Sequence, residues 1–252
     1  MPTTAITYIG GPTALLEYAG LRIVTDPTFD PPQSYDAAPG SVALVKTVGP
    51  AIDRTELGPV DLILLSHHEH KDNLDYEGLE LIAQGIPTLG TLQAASDLFG
   101  GSIIGLDNWE THDIDRVTIT AVPALHGPPG SERRTGPVIG FVLQASGEPT
   151  VYVSGDNASV PLVGQIAERF APVELAILFA GAARTPAIDA PLTLTSTDAV
   201  AAASALQATQ VVGLHTEDWQ HFSESRADLE AAFAGTGLLV ATPRGVRVEL
   251  VV

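Results

Sequence analysis

The sequence predicts an α/β fold whose strand ends converge on one polar edge, and three observations predict it. Short apolar or β-branched runs recur along the chain, among them 5–9, 13–18, 62–65, 117–123 and 175–179, at the length of strands rather than helices. Segments of helical period follow several of them, at 74–84, 161–170 and 195–206. Strand ends at separate places deliver His or Asp: the stretch His68-Glu69-His70-Lys71-Asp72, then His126, Asp156 and His215. Groups carried on strand ends along one sheet edge can meet although distant in sequence.

Taken in order, residues 5–9, 13–18 and 21–25 read as a β meander, with Ala19-Gly20 turning a hairpin and Asp26-Pro27 ending it. Residues 27–59 are rich in proline and glycine and poor in periodic positions. They predict a long surface loop, a rim or lid over a site, with an edge strand at 42–48. The run Leu62-Ile63-Leu64-Leu65 reads as a buried strand. If the backbone stays extended beyond it, side chains two apart share a direction. His68, His70 and Asp72 then point one way, and His67, Glu69 and Lys71 the other. Two imidazoles and a carboxylate aimed at one point suit a borderline divalent cation such as zinc. The plainer reading is a polar loop in which Asp72 or Asn73 caps the helix beginning near Leu74. It leaves the two histidines without a role.

Helices are predicted at 74–84 and 92–99, and strands at 87–89, 103–106 and 117–123, the last running into Leu125-His126-Gly127. A hairpin-like pair at 138–143 and 151–154 closes on Ser154-Gly155-Asp156-Asn157. A helix at 161–170, a strand at 175–179 and a helix at 195–206 follow, the last opened by Thr195 and Asp198 as a capping-box variant. A strand at 211–214 ends on His215. A helix at 228–233 and a strand at 245–251 complete the chain.

With 252 residues and no linker, repeat or low-complexity tract, residues 1–252 are expected to form a single domain. A hydrophobic content of 45% is ample for a core. Cysteine is absent, so any metal must be held by histidine and carboxylate. A formal charge of −18, with Lys46 and Lys71 as the only lysines, argues against nucleic-acid binding through a basic surface. Small anionic substrates stay open, because a bound metal reverses the local charge. The start, MPTTAITYIGG, lacks the basic and apolar regions of a signal peptide, and no stretch is long enough to span a membrane. A cytoplasmic location is expected.

Taken singly, His126 or His215 is an ordinary loop or core histidine, and Asp156 an ordinary turn residue. Together with the clustered stretch they make one shared metal site. The pattern His68-x-His70-x-Asp72-Asn73, followed by His126, Asp156 and His215, resembles the metallo-β-lactamase superfamily, whose pattern is H-x-H-x-D-H and then H, D and H. Tyr8-Ile9-Gly10-Gly11, Leu15-Leu16-Glu17, Val24-Thr25-Asp26-Pro27, Gly140-Phe141-Val142-Leu143 and Tyr152-Val153-Ser154-Gly155-Asp156 are similar to one branch. That branch contains L-ascorbate-6-phosphate lactonase and the N-acyl-phosphatidylethanolamine phospholipase D type enzymes. The resemblance implies a four-layer αβ/βα sandwich with a dinuclear centre at one edge. It implies His68, His70 and His126 on the first metal, Asp156 as the bridge, and Asp72 with His215 on the second. Asn73 stands where the family has a histidine ligand. An amide oxygen binds zinc more weakly than imidazole, so the second site is expected to be weaker and to favour a harder ion such as manganese. Zinc, one or two per chain, is the expected cofactor, with manganese or iron as other occupants.

The chemistry follows from the ligands. A metal-bound water has its pKa lowered towards about 7, giving hydroxide at neutral pH. Asp72 is expected to orient the hydroxide and take up its proton. Asp26 and Glu69 are candidates for the groups that ligating histidines need at their other nitrogen. A turn before Pro27 and a solvated charge are their plain alternatives. Trp219, His221 and Phe222 are expected to line a substrate pocket or to pack an ordered loop, and His67 and His112 to be structural or surface residues. The expected function is a metal-dependent hydrolase attacking a small-molecule lactone, ester or phosphodiester. An iron oxidoreductase on the same fold and a non-catalytic metal-binding protein are the alternatives.

Overall fold

The computed structural model describes residues 4–36, 43–98 and 102–250. The predicted element ends at Val42, Phe99 and Val251 lie outside them. The chain opens with the expected antiparallel meander, β1 (Ala5–Gly10), β2 (Thr13–Tyr18) and β3 (Leu21–Thr25). Within the predicted long loop, β4 (Gln33–Tyr35) and β5 (Leu44–Lys46) pair as a separate antiparallel ribbon. The chain then adds β6 (Leu62–Leu64), β7 (Thr88–Thr91) and β8 (Ile103–Leu106) in parallel beside β3, with α1 (Tyr76–Ile82) and α2 (Leu92–Asp97) as crossovers.

The second half builds its own sheet. β9 (Thr111–Ile114), β10 (Val117–Pro123), β11 (Ile139–Ala145) and β12 (Val151–Val153) are antiparallel neighbours, with the one-turn α3 (Glu132–Thr135) after β10. β13 (Leu175–Phe179) and β14 (Gln210–Leu214) extend it in parallel, reached through α4 (Val160–Phe170) and α5 (Ser196–Leu206). After α6 (Arg226–Ala232), β15 (Arg247–Glu249) returns to pair with β1 at the edge of the first sheet. The sequence reading missed β9 and α3, each of which is four residues long, too short to show a period.

Alternation along the strands makes the layers. Leu62 and Leu64 join the core between the two sheets, together with Phe141, Leu143, Ile177 and Phe179. Ile63 and Leu65 face the other way, onto Leu81 and Ile82 of α1. On the far side, Ala176 and Leu178 pack with Val163 and Ile166 of α4 and Ala199, Ala202 and Leu206 of α5. Strands buried on both faces read as unbroken apolar runs, which is why 62–65 was legible as a strand. The result is helix, sheet, sheet, helix: the four-layer αβ/βα sandwich. Among the described residues, no helix is long and apolar enough to cross a membrane.

Two details fix the site's surroundings. Asp75, rather than Asp72 or Asn73, caps α1, its carboxylate accepting from the Gly78 amide at 2.9 Å. The same carboxylate accepts from the amides of Phe29 (2.9 Å) and Asp30 (2.7 Å) and pairs with buried Lys46 of β5 at 2.9 Å. The ribbon is thereby tied to the start of α1 instead of moving as a free loop.

Candidate metal centre

β6 ends at Leu64, and the backbone turns rather than staying extended: the amides of Asn73 and Leu74 both donate to the His70 carbonyl, at 3.1 and 3.0 Å. The two-residue alternation therefore fails beyond Leu65. His67 and His70, three apart, come together with His126 from the loop after β10. His70 Nδ1 lies 3.0 Å from His67 Nε2 and 3.2 Å from His126 Nε2. Asp72, Asp156 after β12 and His215 after β14 form a second group beside it. Within each group the donor atoms lie within 4.8 Å of one another.

Asp156 joins the two. Its Oδ2 lies 3.7 Å from His126 Nε2, and its Oδ1 lies 3.7 Å from His215 Nε2. Gly155 lets the loop approach this closely, because it has φ +55° and a Cβ there would fall 2.6 Å from Cβ of Ser66. His215 itself adopts φ +57°, a conformation that costs a residue with a side chain energy. Its amide is held by the Gly11 carbonyl at 2.8 Å.

Outer contacts orient the first group. His67 Nδ1 meets Ser66 Oγ at 3.0 Å, and that hydroxyl in turn meets Asp26 Oδ2 at 2.7 Å. His126 Nδ1 meets the Leu192 carbonyl at 2.8 Å. Burial pushes the pKa of both rings down, His67 well below the ordinary histidine value, so both are neutral and in ligand form. The second group is charged. Burial alone would raise the Asp72 pKa, but His221 and His215 outweigh it and hold the carboxyl well below its usual range. Burial works against a charged His215 as well, and there Asp156 and Asp72 prevail and raise its pKa. Burial raises Asp26 to about 7, against hydrogen bonds from Ser66 and Asn73.

The donor set fits divalent cations. Three imidazoles facing one another, those of His67 and His126 buried and that of His70 half-buried, next to two buried carboxylates with Asp156 Oδ2 lacking any hydrogen bond, form a polar cluster that is costly without an ion to satisfy it.

Residues 21–216 match the family model described as a beta-lactamase superfamily domain. The chain belongs to the beta-lactamase superfamily. It is 27% identical over 252 residues to the mitochondrial N-acyl-phosphatidylethanolamine-hydrolyzing phospholipase D of Saccharomyces cerevisiae, an alignment covering 89% of this chain and 50% of that protein. This chain thus spans about half of that relative's length. Among solved structures, a possible metal-dependent hydrolase from Veillonella parvula superposes with a TM-score of 0.86 at 20% identity, covering 98% of this chain and 100% of the other. The isothiocyanate hydrolase from Delia radicum gut bacteria superposes with a TM-score of 0.83 at 22% identity, covering 98% of each chain. These two likenesses show the superfamily fold.

Against the superfamily pattern, the structure gathers His70, His126, Asp72, Asp156 and His215 and leaves His68 out. His68 is directed instead at Glu69 (3.3 Å) and Asp97 (3.4 Å), and fully buried His67, expected to be structural, takes its place. The reason is the turn: a bend straight after the strand brings residues three apart together, where an extended chain would align residues two apart. Glu69 is consequently a partner of His68 and not of a clustered ring. Asp26 acts through the Ser66 hydroxyl rather than directly on a histidine. Asn73 presents its amide NH2, not its oxygen, to Asp156 Oδ1 (3.2 Å) and Asp26 Oδ2 (3.1 Å). Trp219 is buried, stacked on Tyr35 at 5.6 Å between ring centres, and does not line the cavity. His221 does line it, and its Nε2 lies 3.0 Å from Asp72 Oδ2. Ser66 was overlooked, although a serine directly before the first histidine is the signal that would have found it.

The cavity above the two groups has a volume of about 260 Å³. Its lining includes the polar His70, Asp72, His126 and His221, the apolar Leu44, Ile188 and Leu192, and the basic Lys71 and Arg134.

Proposed function

We propose that this chain is a hydrolase that holds two divalent cations, one on His67, His70 and His126 and one centred on Asp72, Asp156 and His215. The observation that carries the reading is Asp156, whose two oxygens face different groups, His126 on one side and His215 on the other, each at 3.7 Å. Cations held there would acidify a water and polarise the bond to be cleaved. The residues of the chain do the rest. Asp72, open to the cavity, accepts the proton released by the attacking water and keeps that water aimed at the substrate. Leu44, Ile188 and Leu192 bind the substrate's apolar part and exclude bulk water, and Arg134 and Lys71, which also line the cavity, compensate negative charge that develops on the substrate.

The substrate is a compact ester, lactone or phosphodiester. A cavity of about 260 Å³ is smaller than the roughly 300–1,000 Å³ of sites that enclose drug-sized ligands. Purified protein is assayed against compact members of the three substrate classes before and after chelation, with metal content measured in parallel. Turnover is expected to vanish with the metal and to return with zinc or manganese. Turnover that survives confirmed metal loss would falsify the proposal.

A further inference from the structure

Two imidazoles approach one oxygen of Asp72: His215 Nε2 at 3.2 Å and His221 Nε2 at 3.0 Å. His221 is not carried on a strand end. It belongs to the loop between β14 and α6, and backbone pairing holds that loop on both sides. The Gln220 amide donates to the Val45 carbonyl at 3.0 Å, and the Arg184 amide donates to the His221 carbonyl at 3.0 Å. Isolated β-bridges join Lys46 to Trp219 and Ala183 to Phe222. The His221 ring packs on Phe222 with centres 4.7 Å apart, and its Nδ1 is buried without a hydrogen bond. Among the described residues, Asp72 is the one polar partner of this side chain. A ring already fixed in place loses little further freedom when it binds an ion.

Asn73 occupies the position where the superfamily pattern has one more histidine, and it turns donors toward Asp156 and Asp26. An NH2 group has no lone pair to offer a cation. Resting on the two-cation reading above, we propose that His221 supplies the missing ligand. The second cation is then held by Asp72, Asp156, His215 and His221. Two carboxylates and two imidazoles make a four-donor set for a borderline ion. The chain has moved this ligand from the turn after β6 to the loop after β14.

The test uses full-length protein stripped by chelation and titrated with Zn²⁺ or Co²⁺. Binding is followed by calorimetry, by metal content after desalting and by the Co²⁺ absorption spectrum. Wild type is expected to bind in two steps. His221→Ala, and the bulkier His221→Gln, are expected to keep the first step and weaken the second at least about tenfold, no less than the loss of an outer-shell partner. Adding Asn73→His to either is expected to restore the second step. A second step unchanged in a folded His221 variant, or lost and not recovered by Asn73→His in a folded double variant, overturns the assignment and leaves the two-cation reading intact. Absence of any uptake by wild type overturns that reading instead. If no variant passes a circular-dichroism check of folding, the hyperfine-shifted imidazole N–H signals in the NMR spectrum of the wild-type Co²⁺ protein decide, since four coordinated imidazoles in place of five with both ions bound overturn the assignment.

Discussion

His67, His70 and His126 approach one another around a single ring nitrogen, and burial keeps two of the three neutral. Asp72, Asp156 and His215 are all buried, whereas His70 of the first group is half-buried, and they bring two acids to one imidazole, whose pKa those acids raise. The outer contacts differ too. Hydrogen bonds from Ser66 and the Leu192 carbonyl set the rings of the first group, whereas His215 has a buried Nδ1 with no partner and is set by Phe179 and Phe222 packed on its faces. The difference teaches that one edge of one sandwich can hold two unlike sites. One is built of imidazoles whose outer nitrogens are set by directional bonds, and the other carries both carboxylates and has its imidazole set from outside by packing.

Asp156 is where the contrast is most easily broken, because it belongs to both groups. Removing one partner from a buried ionic cluster costs about 3–5 kcal/mol, roughly a hundredfold to a few thousandfold in affinity. Asp156→Ala is therefore expected to weaken both binding steps by that order, and hydrolysis with them. Metal content after desalting, measured beside wild type, checks this. A variant that keeps one ion at wild-type affinity would show that the carboxylate serves a single site.

The next largest effect separates neighbours in sequence. His67→Ala is expected to abolish the first step and spare the second. His68→Ala should leave both steps unchanged, since it removes only partly exposed contacts to Glu69 and Asp97 of the kind worth about 0–1 kcal/mol. The reverse pattern in the same titration would restore the alternation that the sequence suggests.

That pair also marks how far residue type alone reveals the site. The strand before the site was legible because Leu62 to Leu65 is buried on both faces, and His126, Asp156 and His215 because each follows a strand that is apolar throughout or in alternation. The choice between His67 and His68 was not. It depends on whether the chain stays extended after Leu65, and the decisive bonds are the amides of Asn73 and Leu74 on the His70 carbonyl, which leave no trace in residue type. His221 and Trp219 illustrate the same limit. Both stand in one loop near His215, yet pairing of that loop with β5 buries the indole against Tyr35 and aims the imidazole at Asp72. Of the two-stranded ribbon in 27–59, β5 falls within the edge strand expected at 42–48, but β4, three residues long, shows no hydrophobic period, and the ribbon is held by the Lys46–Asp75 pair.

The smallest expected effects address how each group is held. Ser66→Ala removes the hydroxyl that links Asp26 to His67 and leaves the His67 Nδ1 without its partner. Loss of such a contact typically costs ten- to a hundredfold in metal affinity, about 1.4–2.7 kcal/mol, and only the first step should show it. Phe222→Leu removes an aromatic face 4.6 Å from the His215 ring centre while keeping an apolar side chain in place. An aromatic pair is worth about 0.5–1.5 kcal/mol beyond its buried area, so the second step should weaken by a few-fold up to about tenfold and the first should stay as it is. Packing restrains a ring less sharply than a hydrogen bond does, because a ring can pivot within an apolar contact at little cost. For that reason Ser66→Ala should exceed Phe222→Leu. Calorimetric titration of the two variants compares the steps directly. Equal losses spread over both steps would mean that the two groups share one scaffold, and the distinction between a bonded site and a packed one would fall.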